Sequence, residues 1–217
     1  MTRLAWVLLA LAAGFAVIDW IGVASDDVRL RWVGKPGAIV LLVGAAVALH
    51  PASSAQRLIF VAALLLSLCG DLLLLLGDAR FLAGLAAFLA AHLAYAGGFL
   101  AGGIDRHLLL YSGLAIAIVS LSVGGRVLGT IATAGRRPLL PAVTLYLLAI
   151  SAMVALAGAG SRPAAIAGAC LFYLSDGLIA WNRFVRPLNW ARLPVIVTYH
   201  LGQAGLVISL AAAGTAF

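Results

Sequence analysis

The sequence predicts an all-α fold, a polytopic transmembrane helix bundle of about eight helices forming a single domain over residues 1–217. Two observations predict it. Hydrophobic residues make up 65% of the chain and charged residues only 10%, against about 45–50% and about 25% in soluble domains. The apolar residues also fall into runs near the roughly 20 residues a helix needs to cross a bilayer, with the charges gathered in short connections between them. No stretch is polar enough to form a separate soluble domain or a nucleic-acid module, so the net charge of +7 points to lipid headgroups and not to nucleic acid.

Taken in chain order, the first run covers residues 4–24. It has the outline of a signal peptide, but the apolar stretch reaches Ile18 and resumes after Asp19, which is long enough to span. Asp19 reads as an interfacial residue near the end of that helix. The second run, 36–50, is short and opens with Lys35-Pro36; the third covers 58–77, the fourth 81–102 and the fifth 107–125. The sixth, 138–159, the seventh, 163–184, and the eighth, 193–213, each carry a proline (Pro138, Pro163, Pro194) at or near the first helical position. The absent N–H of proline costs nothing there. Cys69 and Cys170 lie within apolar runs and read as buried packing residues.

Ten of the fourteen basic residues fall in or near the odd-to-even connections, and Arg3, Arg57, Arg106 and Arg162 on the other side. The positive-inside rule then makes this a multi-pass cell-membrane protein with both termini outside and the basic connections in the cytoplasm. The two halves resemble each other. Lys35-Pro36 answers to Arg137-Pro138, Gly70-Asp71 to Ser175-Asp176, and His92 to His200, which suggests a 4+4 parallel repeat.

Polar residues inside the spans are costly and default to function. Asp71, His92, Tyr95, Tyr146, Ser175, Asp176, Asn182, Tyr199, His200 and Gln203 are the candidates. At a rise of about 1.5 Å per residue, Asp71, Asp176, Tyr146, His200 and His92 all fall in the cytoplasmic half, on five different helices. One shared level argues for one site. Each has a structural alternative too: the histidines and tyrosines as hydrogen-bonders between helices, Ser175 as a bond to a helix carbonyl, and the basic residues at helix ends, Lys35 included, as headgroup anchors. GxSxG, HExxH and CxxC patterns are absent. What remains is two carboxylates with histidines and tyrosines, which is acid–base equipment.

The stretches GDLLLLLGDARFLAGLAAFLAAHLAY (residues 70–95), GACLFYLSDGLIAWNRF (168–184) and TYHLGQAGLV (198–207), with Lys35-Pro36 and Pro141…Tyr146, resemble the YhhN-like, lysoplasmalogenase family of integral membrane proteins. The resemblance covers most of the chain, from about Lys35 to Val207. It implies an eight-helix membrane hydrolase that cleaves the vinyl ether bond of lysoplasmalogens to a fatty aldehyde and a glycerophospho-headgroup, with a lysophospholipid as its ligand and no cofactor. Under that reading Asp71 and Asp176 share the roles of general acid and cation-stabilising base, and His92 and His200 orient groups or relay protons. Tyr146 and Tyr199 place water or the ether oxygen, and Lys35 and arginines hold the phosphate. Tyr95, Ser175, Asn182 and Gln203 complete the substrate site. Four alternatives stay open: a proton-coupled transporter, a hydrolase of another lysolipid, a non-catalytic lipid-binding or scaffold protein, and a zinc site built from the histidines and aspartates.

Overall fold

A computed structural model describes residues 1–160 and 162–212. Among these, eight long α-helices and no strands are found: α1 (Arg3–Ala24), α2 (Val28–Ala48), α3 (Ser54–Leu75), α4 (Phe81–Gly102), α5 (Arg106–Thr133), α6 (Leu140–Ala159), α7 (Pro163–Phe184) and α8 (Arg192–Ser209). Single 3₁₀ turns, Asp78–Arg80 and Arg137–Leu139, lead into α4 and α6. Seven helices are long and apolar enough to cross a membrane. The exception is α8, 18 residues long and carrying Thr198, Tyr199, His200 and Gln203. The expected end of the eighth helix at Ala213 lies outside the described residues.

Local signals account for the helix starts. The side chains of Thr2, Asp27, Ser53 and Asp105 each accept a backbone N–H from the first turn that follows, satisfying donors with no partner inside the helix. Pro163 opens α7. At the end opposite the basic connections, Arg162 donates to the Ser209 and Ala211 carbonyls at 2.7 and 2.9 Å. It closes the last turn of α8 with a positive charge.

Three expectations are corrected. Helix α2 begins at Val28 and not at Pro36, which stands inside the helix. Asp27 supplies a cap upstream, and Gly34 and Gly37 let α1 pack closely enough on α2 to outweigh the bond lost at proline. Lys35 therefore sits about 10 Å inside the helix start at 1.5 Å per residue and is buried, so it is no headgroup anchor. Asp19 is fully buried, where an interfacial position was expected. Cys69 and Cys170 are exposed on the outer surface as free thiols, because a helix apolar all round gives its outward side no polar mark.

Sequential helices form hairpins (α1–α2, α3–α4, α5–α6, α7–α8), joined through α2–α3, α4–α6, α6–α7 and α2–α8. The peripheral helices differ: α1 reaches α8 and α5 reaches α7. The tightest crossing for the site is α7 on α8. A Cβ at Gly168 would lie 2.7 Å from the Leu206 nitrogen, and one at Gly202 2.9 Å from the Phe172 nitrogen. Only residues without side chains let these backbones meet, and the contact sets the height at which α8 presents Tyr199 beside α7.

Candidate active site

An apolar cleft of about 970 Å³, counting its open mouth, enters the bundle between α3, α4, α5, α6, α7 and α8, with Lys35 of α2 also in its lining. At the basic end it starts at Phe81, the first residue of α4, and Phe184, the last of α7. It runs inward along α7 to Tyr173, eleven residues or about 16 Å away. Its walls are mostly leucine, valine, isoleucine and phenylalanine, interrupted by seven polar side chains: Lys35, Asp71, Tyr146, Tyr173, Ser175, Asp176 and Tyr199. A mostly apolar cavity with a few convergent polar groups is the usual form of a small-molecule site.

The two aspartates have unlike surroundings. Asp71 is fully buried on α3, with Lys35 Nζ of α2 at 2.8 Å from Oδ1. The Tyr199 hydroxyl of α8 donates to Oδ2 at 2.6 Å. Gln203, one turn further along α8, accepts from the Tyr95 hydroxyl at 2.5 Å and reaches the Tyr199 oxygen with its amide at 3.4 Å. Asp176, on α7, accepts from the Tyr146 hydroxyl of α6 at 2.5 Å, and His92 Nε2 of α4 lies 3.5 Å from the same oxygen. Each carboxylate thus receives one group from the second helix of its own half and one from the fourth helix of the other half. The difference is chemical: a cation serves Asp71, and a neutral phenol takes the matching place at Asp176.

Around this pair the aromatic packing is dense. Phe172 meets His92, Tyr199, Tyr95 and Phe88 edge-on, with ring centroids 4.8 to 6.5 Å apart. Edge-on contacts of this kind are the favoured packing of aromatic rings. Ser175 donates to the Val195 carbonyl at 3.0 Å and ties α7 to α8.

The sequence-predicted residues divide by position. Lys35, Asp71, Tyr146, Ser175, Asp176 and Tyr199 face the cleft. His92, Tyr95 and Gln203 stand behind it as supports. His200 turns away: its Nδ1 accepts from the Trp20 indole of α1 at 3.1 Å, and its Nε2 has no partner among the described residues. Asn182 spends its carbonyl on the Leu188 N–H at 2.6 Å in the α7–α8 connection, at the basic end and outside the cleft. Asp19, expected at the interface and not in a site, has two buried oxygens with no hydrogen-bond partner among the described residues. Its signal was plain, a carboxylate inside the first apolar run. No group of three metal-ligating side chains occurs among the described residues.

The YhhN family model matches residues 30–210, a span that takes in both aspartates and every side chain that contacts them. The chain belongs to the YhhN family. Curated relatives align over shorter stretches. Lysoplasmalogenase TMEM86B of Sus scrofa is 44% identical over 71 residues, 32% of this chain and 30% of that protein. The Homo sapiens protein of the same name is 49% identical over 45 residues, 21% of this chain and 19% of that one. The chain thus spans about a third or less of the length of the curated relatives it matches. No solved structure matches it. In this YhhN protein, the family match takes in both the buried Asp71 cluster and the partly buried Asp176 cluster.

Proposed function

We propose that this YhhN protein is a membrane-embedded hydrolase that cleaves the vinyl ether bond of lysoplasmalogens. One observation carries the reading. Two carboxylates line a single apolar cleft, one paired with a cation and the other with a neutral phenol. Enol ether hydrolysis requires that asymmetry: an acid that still holds its proton, and an anion beside the cation that forms.

Asp176 is the general acid. Tyr146 occupies its Oδ2, leaving Oδ1 to carry the proton into the cleft. That proton passes to the β-carbon of the alkenyl chain, and the electron pair of the C=C bond forms the new C–H bond. The positive charge is shared by the α-carbon and the ether oxygen. Asp71, paired with Lys35 at 2.8 Å, stabilises this oxocarbenium ion across a medium of low dielectric. Water adds to the α-carbon, and the proton it loses restores Asp176. The hemiacetal then collapses: its hydroxyl proton moves to the glycerol oxygen as the C–O bond breaks. A fatty aldehyde and a glycerophospho-headgroup leave.

Tyr199 orients Asp71, and His92 packs beside Asp176 with Nε2 3.5 Å from Oδ2. The relatives' name and the amphiphilic cleft support a lysophospholipid as substrate, and the arginine-rich connections support a cytoplasmic location for the cleft mouth.

The test is aldehyde release from lysoplasmenylethanolamine by the purified protein in detergent. Release by the wild type and its loss in Asp176→Asn and Asp71→Asn is the expected result. No aldehyde from folded wild-type protein rejects the reading. Detergent removes any gradient, so turnover there also separates hydrolysis from transport.

A further inference from the structure

Beside the mouth of the cleft lies a second, shallower pocket between the end of α5 and the α7–α8 connection. Thr130, Arg136, Asn182, Arg183 and Arg186 supply its polar lining, and Phe184 lines both it and the cleft. Its charge is one-sided. Among the described residues Arg136 and Arg186 pair with no carboxylate, and Arg183 has only a loose contact to the exposed Asp78, at 3.8 Å. The Arg183 guanidinium also sits 4.9 Å from the Phe81 ring centroid, and Phe81 forms the cleft mouth. With its carbonyl given to Leu188, Asn182 has its amide N–H groups left to donate.

We propose that this pocket binds the phosphate of the lysolipid whose chain fills the cleft, with Arg136, Arg183 and Arg186 as its ligands. The inference rests on the lysophospholipid reading of the cleft. Geometry along α7 carries it. Asp176 and Arg183 are seven residues apart, which puts them on one helix face about 10.5 Å apart in rise. A glycerol backbone plus an arginine side chain covers that interval. The walls of the cleft on α4, α5 and α6, with Leu85, Val127 and Leu147, are apolar, and the arginines stand beside its mouth. That contrast orients an amphiphile: hydrocarbon against the apolar walls, phosphate on the arginines, and the bond joining chain to glycerol level with Asp176. Planar guanidinium groups suit a phosphate better than a single ammonium does. Lys35 is already committed to Asp71.

The experiment uses two ligands that cannot be hydrolysed, a 1-alkyl lysophosphoethanolamine and the matching 1-alkylglycerol, which lacks the phosphate. Binding is measured on wild type, Arg186→Gln and Arg136→Gln/Arg186→Gln in detergent. The phosphate ligand is expected to weaken about tenfold per arginine removed, with alkylglycerol binding unchanged. Equal weakening of both ligands, or of neither, overturns the proposal. So does displacement of the lysolipid by inorganic phosphate at matching concentration, which makes the pocket a free-phosphate site. Arginine-dependent binding without aldehyde release from the vinyl ether substrate supports the headgroup pocket and removes the hydrolysis reading alone.

Discussion

Lys35 Nζ lies 2.8 Å from Asp71 Oδ1, on adjacent helices, with the carboxylate fully buried. Removing one partner from a buried pair strands the other charge, at a cost of about 3–5 kcal/mol. Lys35→Met is therefore expected to lower the melting temperature in detergent and to abolish activity. Lys35→Met/Asp71→Leu is expected to regain most of the stability and none of the activity. A thermal melt beside an aldehyde assay measures both.

Asp176 bears the proton in the proposed reaction. Asp176→Asn is expected to lower kcat by about 10²–10⁴-fold. Tyr146→Phe removes only the phenol that positions the protonated carboxyl, and a hydrogen bond between neutral groups is worth about 0.5–1.5 kcal/mol. A fall of roughly 2- to 10-fold in kcat with little change in KM is expected for it. Steady-state kinetics on the three proteins gives the order wild type, Tyr146→Phe, Asp176→Asn.

Gly168 is the closest approach of α7 to α8. In Gly168→Ala the new methyl would meet the Leu206 nitrogen at 2.7 Å and the Gly202 carbonyl oxygen at 2.8 Å. Backbone cannot swing aside as a side chain can, so α8 must move, at about 1–3 kcal/mol. Tyr199 moves with it. Lower stability together with lower activity is expected although every polar side chain is intact. Gly97→Ala, where nothing lies within 4 Å, serves as the control and is expected to be neutral or slightly stabilising.

Outside the spans, Arg192 Nη2 meets Asp26 Oδ1 at 2.6 Å and joins the α1–α2 turn to the start of α8. Its hydrogen bond and charge hold the Asp26 carboxyl below its ordinary value of 3.8. A carboxyl with a lowered folded-state pKa stabilises the protein above its unfolded pKa and loses that contribution as pH falls through the folded one. The wild type is expected to melt slightly above Asp26→Asn at neutral pH, with the gap closing below pH 3.8. Both groups are largely solvent-exposed, so the gap is small and shrinks with salt. Melts over a pH series at two ionic strengths test this.

Much of the candidate site was legible because charge in an apolar run is conspicuous. Asp71, Asp176, His92 and Tyr146 were each found from polarity and from depth along a helix, Tyr199 from polarity alone, and the five come together around the cleft. His200 has the same polarity and nearly the same depth as Tyr199, yet it points to Trp20. Adjacent positions on a helix face about 100° apart, and depth says nothing about direction.

The sequence by itself determined the solvent, the number of helices and the level of the polar groups, since each follows from composition and from a rise of 1.5 Å per residue. Tertiary structure decided which faces turn inward. In a soluble protein water marks the outer face, but lipid is as apolar as the core and leaves no such stripe. Burial of Asp19 and outward exposure of Cys69 and Cys170 were hidden for that reason. The commitment of Lys35 to Asp71, which makes the two aspartates chemically different, depends on α2 starting at Val28 and running through Pro36. That outcome was set by the close packing of α2 on α1, a contact between helices that no single helix records.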